Sequence, residues 1–153
     1  MKAKEYLEKY KKIYGKFRRI EIRLEQLEAS YIKSLELDGM PHGQTPGKPT
    51  ERNALKLAEI KSELSALLKE TEVQRQEIAD QIEKVKDPRY KELLFSRYVM
   101  LLPWDDVALR VSISCRPGKD YEPKHIMGYM HSRALKAFEE VLNEGNEGQA
   151  LCD

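Results

Sequence analysis

The sequence has few cysteines, few aromatic residues and no long apolar run. Its two cysteines, Cys115 and Cys152, are far apart, so they favour reduced thiols over a disulfide framework or a Cys-x-x-Cys motif. Charged residues begin at Lys2, which argues against a signal peptide, and no apolar stretch approaches the ~20 residues of a membrane span. We therefore expect a soluble, intracellular protein.

Motifs for catalysis and metal binding are also scarce. No strand is expected that could carry a glycine-rich phosphate loop, and no serine or cysteine has a convincing histidine partner. His125 and His131 lie about 240° apart around a helix, so they do not form an i, i+4 ligand pair. Asp105 and Asp106 are explained by the dipole at a helix start. We predict that the protein is not an enzyme and has no metal or other cofactor.

Charged residues, in contrast, are abundant and unevenly distributed. They make up 35% of the 153 residues, a proportion typical of long solvated helices. The net charge of +1 conceals ten Lys/Arg against six Asp/Glu in residues 1–37, and three acids without a base in residues 143–153. This asymmetry is consistent with a nucleic-acid partner but does not establish one.

Two long segments carry heptad-like apolar patterns. In residues 6–31 apolar side chains recur at alternating intervals of four and three, and a similar pattern runs through residues 57–85. Three prolines and three glycines in residues 39–49 predict a loop at about 38–50. Two such helices favour an antiparallel coiled-coil hairpin. Pairing of the apolar seams between chains would instead give a homodimer.

The remainder divides into shorter helices separated by proline. Asp87-Pro88 ends the second long helix and starts another, because proline disfavours helix at the preceding residue and fits a first helical turn. Pro103 ends that helix, and Pro123 begins a last helix expected to reach about residue 142. The predicted organisation is all-α: a coiled-coil hairpin at residues 1–86, a helix-turn-helix domain at 87–142 and a flexible acidic tail at 143–153.

This last helix separates into two faces. At about 100° per residue its apolar side chains gather within about a third of the circumference, as expected for a core-facing stripe. The stripe consists of Ile126, Met127, Met130, Ala134, Ala137, Phe138 and Val141. Between Pro123 and Phe138 there is no acid. The opposite face carries His125, Gly128, Tyr129, Ser132 and Lys136, flanked by Lys124, His131 and Arg133.

The acid-free face fits the major groove of DNA. Side chains near the start of a recognition helix reach base edges, while neighbouring basic residues bind phosphate. Lys124 and His125 can donate to guanine, and Ser132 can contact base or phosphate. Tyr129 can pack on a thymine methyl or bond a phosphate. Gly128 either allows close approach of a backbone or is merely tolerated. A plain structural core remains the alternative for such an amphipathic helix.

Several segments resemble a known family. Similarity to region 4 of the sigma-70-type factors is carried by Leu94-x-x-Arg97-Tyr98, Pro103-Trp-Asp-Asp-Val-Ala108 and His131-Ser-Arg-Ala-Leu135. The stretch from Lys2 to Leu7, the heptads and the Asp87-Pro-x-Tyr90 step extend the resemblance over nearly the whole chain. Together they resemble a phage and prophage family of Gram-positive bacteria, similar to late transcriptional regulators of the ArpU and RinA type.

The resemblance implies a cytoplasmic regulator in a bacterial host. Its last helix would bind double-stranded promoter or operator DNA, and the preceding helices would support it and contact RNA polymerase. The DNA-facing positions implied are Lys124, His125, Tyr129, Ser132 and Arg133.

One departure from that family is the long turn at residues 112–122. Its basic residues, Arg116 and Lys119, can add phosphate contacts, or the longer turn can tilt the last helix away from the usual docking. Pro103 also stands where the family often has Ser or Thr, so the helix cap differs.

Two other functions remain open. A packaging factor like a small terminase subunit also joins a helix-turn-helix to oligomerising helices, and it would form a large ring. A coiled-coil adaptor would instead use its C-terminal helices to bind protein and would not retain DNA.

Overall fold

The computed structural model describes residues 2–37, 48–115, 118 and 120–150, and the regular secondary structure in these residues is helical, as predicted. The first four helices are α1 (Ala3–Leu37), α2 (Lys48–Glu83), α3 (Pro88–Leu94) and α4 (Trp104–Cys115). A π-helical turn, Phe95–Val99, continues α3. The last helix comprises α5 (Pro123–His125), a second π-helical turn (Ile126–Met130) and α6 (His131–Ala150). Within these ranges no helix is long and apolar enough to cross a membrane.

Two helix ends differ from the sequence-based expectation. Helix α2 begins at Lys48, inside the predicted loop, because Pro49 lies in the first turn, where a missing amide proton costs nothing. The rest of the predicted loop, residues 38–47, lies outside the described residues. Helix α6 continues to Ala150 instead of ending near residue 142. Glycine in a helix costs only about 1 kcal/mol relative to alanine, so Gly145 and its neighbours do not end the helix.

The start of α3 follows the predicted proline signal. Asp87 precedes Pro88 with an extended backbone (ψ 119°), and its carboxylate accepts a hydrogen bond from the Arg89 amide at 2.9 Å. The Arg89 guanidinium donates to the same carboxylate at 2.9 Å. These hydrogen bonds to Arg89 lower the pKa of Asp87, because they favour its charged form. Asp87 is therefore an N-cap, as its position before proline indicates.

The chain divides into two compact units. The middle unit is Ile13–Glu72, and the C-terminal unit combines Met1–Lys12 with Val73–Asp153. The boundary expected from the sequence lay near residue 86. Both ends of the long helical region, in the first turns of α1 and the last turns of α2, belong to the C-terminal unit.

The middle unit contains the facing parts of α1 and α2. Lys61 of α2 forms an ion pair with Glu28 of α1 at 3.2 Å. Ile60 is buried, whereas most of the apolar seam positions are half-buried. Thr71 is also buried, and its hydroxyl donates to the Leu67 carbonyl at 2.6 Å. That hydrogen bond satisfies the hydroxyl and allows a polar residue within the seam.

The C-terminal unit has a well-formed core to which α1, α2, α3, α4, both π turns and α6 contribute. Its buried apolar residues are Ala3, Leu7, Tyr10, Ile78, Ile82, Val85, Leu93, Leu94, Tyr98, Val99, Val107, Ala108, Val111, Ile126, Met130, Ala134 and Phe138. The ring of Tyr6, on α1, lies 5.8 Å from the fully buried ring of Phe138 on α6. The first turns of α1 are thus an integral part of the unit that carries the last helix.

A strained turn connects α3 to α4. Leu101 adopts a left-handed backbone conformation (φ 56°), which costs a non-glycine residue roughly 1–2 kcal/mol. The Leu102 amide donates to the Ser96 carbonyl at 3.1 Å, and the Arg97 side chain donates to the Leu102 carbonyl at 2.8 Å. Arg110 of α4 also donates to Glu92 of α3 at 3.0 Å. These bonds hold α3 and α4 in a defined arrangement beneath the last helix.

Candidate nucleic-acid interface

The second π turn sets which side of the last helix faces the core. Ile126, Met130, Ala134 and Phe138 are buried at every fourth position. In an uninterrupted α-helix the twelve steps from Ile126 to Phe138 would displace these side chains by about 120° around the axis. The wider π turn rotates by a smaller angle per residue, so the four buried side chains stay on one side of the helix. Met127, predicted to face the core, is 49% exposed, because this change in twist moves it off the buried stripe.

The positions predicted to face DNA on the last helix are all exposed. They are Lys124, His125, Gly128, Tyr129, Ser132, Arg133 and Lys136. None of the basic side chains among them forms an ion pair with a described carboxylate. Their charge is therefore available to an external anion.

A row of side chains in ring contact runs along this face. The Tyr121 and His125 rings are 6.3 Å apart and within 11° of parallel, and the His125 and Tyr129 rings are 5.4 Å apart. The Arg133 guanidinium lies 4.2 Å from the centre of the Tyr129 ring. We call Tyr121, His125, Tyr129 and Arg133 the aromatic ladder. Its i, i+4 spacing is visible in the sequence, but Tyr121 was not predicted because it precedes the helix.

The base of the aromatic ladder is attached to α4. The Tyr121 amide donates to the Ser112 hydroxyl at 2.9 Å, and that hydroxyl donates to the Ala108 carbonyl at 2.7 Å. Ser112 is buried. The end of the long turn is thus fixed to the preceding helix immediately before the last helix begins.

Gly128 and Ser132 lie beside the ladder and are joined by a hydrogen bond. The Ser132 hydroxyl donates to the Gly128 carbonyl at 2.9 Å, so its proton is used within the helix and its oxygen remains an acceptor. A Cβ added to Gly128 would meet no heavy atom within 4 Å. Packing within the described chain therefore does not require glycine at this position.

His131, predicted on the flank of the DNA-facing side, is instead half-buried against α3 and α4. Its Nε2 atom lies 2.8 Å from the Tyr98 hydroxyl, and its ring packs against Trp104 with 4.9 Å between the ring centres. Burial, followed by the charges of Lys4 and Arg97, lowers the pKa of His131. Burial also raises the pKa of Tyr98 to about 12. The pair is a structural contact that supports the last helix.

Two predicted phosphate contacts, Arg116 and Lys119, lie outside the described residues.

Within the described part of the chain, no three His, Cys, Asp or Glu side chains gather in a way that could hold a metal ion. Cys115 is a free thiol whose pKa is raised by burial, which disfavours the reactive thiolate.

Similarity to known proteins does not assign a role to this face. No family model, curated protein or solved structure matches the chain. The chemistry of the exposed residues is therefore the basis for a functional proposal. Unpaired cations, stacked aromatic rings and the absence of acid are together suited to a polyanionic partner.

Proposed function

We propose that this protein is a sequence-specific, DNA-binding transcriptional regulator of phage or prophage origin, with a helix-turn-helix domain similar to sigma-70 region 4. The observation that carries the proposal is the exposed, acid-free face of the last helix, with Lys124, Arg133 and Lys136 free of described carboxylate partners. A helix of this kind fits the major groove, where side chains read base edges and cations bind phosphate.

The aromatic ladder favours direct reading of bases. Arg133 lies over the face of Tyr129, which limits the orientations of its guanidinium and leaves its N–H edge available. Such an edge can donate two hydrogen bonds to the O6 and N7 atoms of guanine. Tyr129 is 53% exposed and can contact a thymine methyl or a phosphate.

A coiled-coil hairpin formed by α1 and α2 completes the proposed architecture. The Glu28–Lys61 ion pair and a cavity lined by both helices support an antiparallel arrangement. In that cavity Arg19 and Ile20 of α1 lie close to Leu67 of α2, whereas Glu28, later in α1, pairs with Lys61, earlier in α2. The two helices therefore run in opposite directions along this contact. We propose that the hairpin serves as a spacer, a dimer contact or a contact for RNA polymerase.

Selection of protein-bound fragments from phage DNA tests the proposed function. Enrichment of promoter-proximal fragments is the expected result. Enrichment of packaging sites would support the terminase-like alternative, whose ring would also appear in a mass measurement. No enrichment would support a protein-binding adaptor and reject the proposal.

A double variant, Lys124→Ala with Arg133→Ala, tests which surface binds. Both side chains are exposed, so the fold should be retained. Gel-shift measurements should show loss of most affinity for the selected fragment. Unchanged affinity in a folded variant would place DNA binding elsewhere.

A further inference from the structure

A groove lies beside the last helix, between it and the first turns of α1. Its volume is about 310 Å³. Its walls are formed by Lys4 and Lys11 of α1, Arg97, Trp104 of α4, and Met127 and His131 of the last helix. All of these residues belong to the C-terminal unit. The groove is therefore built by a single compact body and does not depend on the middle unit.

The groove has an excess of positive charge. Lys4, Lys11 and Arg97 line it together with one acid, Glu8. Glu8 is 4.0 Å from Lys4, a distance at the limit of an ion pair, and neither Lys11 nor Arg97 has a described carboxylate partner. The positive charges of Lys4 and Arg97 also reach His131 at the groove wall, where they disfavour its protonation. An anion would thus be attracted to the groove.

Arg97 is held at the groove in a fixed orientation. Its guanidinium lies 4.5 Å from the centre of the Trp104 ring, and one of its nitrogens donates to the Leu102 carbonyl. That carbonyl belongs to the turn in which Leu101 adopts its left-handed conformation. Because one face of the guanidinium is covered by Trp104 and one donor is used, its remaining N–H groups point in restricted directions. Such a preorganised cation loses little entropy on binding an anion.

We propose that this groove binds a backbone phosphate of the DNA whose major groove receives the last helix. The proposal rests on the proposed DNA-binding function and extends its contact surface to α1. Lys4 and Lys11 would provide mobile positive charges on one side of the phosphate, and Arg97 a fixed donor on the other.

The position of the groove on the last helix supports this occupant. Met127 and His131 line the groove. The residue that follows each of them, Gly128 and Ser132 respectively, belongs to the proposed base-reading face. Lys124 is exposed one turn before Met127 and adds a further positive charge near this end of the last helix. A duplex seated on the base-reading face would therefore bring its backbone to the rim of the groove.

The salt dependence of DNA binding tests the inference. The double variant Lys4→Gln with Lys11→Gln removes two exposed charges from the groove, and Lys12→Gln removes an exposed charge from the same helix outside it. The slope of log Kd against log salt should decrease in magnitude by at least about 0.9 in the double variant. The slope of Lys12→Gln should equal that of the wild type. Equal slopes for the wild type and the double variant would overturn the inference.

Trp104 provides a second readout, because it is the only tryptophan and lines the groove. A short duplex containing the selected site should change its fluorescence, and the change should be smaller at equal occupancy in the double variant. Inorganic phosphate alone should have no effect at the same concentration. Saturable quenching by free phosphate, with none by the duplex, would instead assign the groove to a small anion and overturn the inference.

The outcomes separate this inference from the proposed function. Wild-type protein that does not bind any duplex would reject both. Wild-type binding that is lost in the Lys124→Ala, Arg133→Ala variant but unaffected by substitutions at Lys4 and Lys11 would retain the proposed function and reject the phosphate groove.

Discussion

The Tyr98 hydroxyl and the His131 Nε2 atom lie 2.8 Å apart, joining the helix that precedes the strained turn to the last helix. Tyr98 is buried and His131 is half-buried, and their rings are stacked with 5.9 Å between centres. Because burial and two nearby cations disfavour the imidazolium, the neutral ring is the form that fits this site. The contact positions the last helix through a group whose charge can be changed by pH.

We predict that stability decreases as the pH falls below the ordinary histidine pKa of 6.5. The pKa of folded His131 is lowered, so the unfolded chain binds its proton first and gains stability relative to the folded chain. The stability contributed by neutral His131 should therefore be fully present above pH 6.5. It should decrease as the pH approaches about 5, before most carboxylates titrate. Thermal unfolding across this range measures the effect.

The matched variants for this prediction are His131→Gln and His125→Gln. His131→Gln should be less stable at neutral pH but should lose most of the pH dependence between about pH 6.5 and 5. His125 is exposed, and its substitution should leave the wild-type dependence intact. An equally steep dependence in His131→Gln would assign the titration to another group.

The contact between Tyr6 and Phe138 leads to a prediction about the first turns of α1. Phe138→Ala should destabilise the protein by about 3–5 kcal/mol, as expected for a fully buried aromatic ring. A double-mutant cycle with Tyr6→Leu and Phe138→Leu should give a coupling of about 0.5–1.5 kcal/mol. Denaturant unfolding measures both quantities.

Tyr6→Phe is the control for that cycle. It retains the ring that faces Phe138 and removes only the hydroxyl, so coupling to Phe138 should persist. Zero coupling between Tyr6 and Phe138 would mean that α1 does not contribute this contact to the C-terminal unit in solution.

Much of the helical framework could be predicted from the sequence. The heptads specify α1 and α2 because an apolar residue every three or four positions stabilises only a helix with a covered seam. Asp87 and Pro88 specify the start of α3 because both residues act locally. The positions of these helices and the start of α3 depend mainly on nearby residues, and these predictions were confirmed.

The differences arise where distant contacts decide the conformation. Ala3, Leu7 and Tyr10 are buried in the C-terminal unit, and only Tyr10 belongs to the predicted seam. A heptad pattern does not specify which partner covers each part of a helix. Leu101 shows the same limit, because a leucine in the left-handed region has no sequence signal of the kind that glycine provides.

The positions predicted to face outward on the last helix are exposed, but the surroundings of two neighbouring residues differ from the prediction. Regular helical periodicity assigned Met127 to the core and His131 to a flank. The π turn exposes Met127, and Tyr98 and Trp104 enclose His131. A π turn is stabilised by tertiary packing, so periodicity does not reveal it.

Gly128 lies within that π turn and gives a third prediction. Gly128→Ala should stabilise the free protein by about 0.5–1 kcal/mol, because alanine has the higher helix propensity and its Cβ meets no atom within 4 Å. Chemical denaturation measures the change. A decrease in stability would mean that the π turn itself requires glycine.

The same variant distinguishes the two interpretations of Gly128 in DNA binding. If a DNA backbone or base edge approaches Gly128 closely, the Gly128→Ala variant should lose affinity for DNA although it gains stability. Unchanged affinity for the selected fragment would show that the glycine is merely tolerated. Ala134→Gly, a change on the buried side of the same helix, controls for effects transmitted through helix stability.

The stack of Arg133 on Tyr129 gives the last prediction, because it separates charge from orientation. Arg133→Lys retains the positive charge but loses the planar guanidinium and its two-pronged hydrogen bonding. Affinity for the selected site should therefore fall by about tenfold or more, as expected from ~1–3 kcal/mol of lost base discrimination. Binding to unrelated duplex should change little, and the salt dependence should remain that of the wild type.

Arg133→Ala and Tyr129→Ala complete the test. Arg133→Ala should reduce both the preference for the selected site and, by about 0.9, the slope against log salt. Tyr129→Ala removes the surface on which the guanidinium rests, so it should reduce the preference while leaving the charge in place. If Arg133→Lys binds the selected site as tightly as the wild type, Arg133 acts only as a phosphate contact, and base reading must come from other residues on the helix.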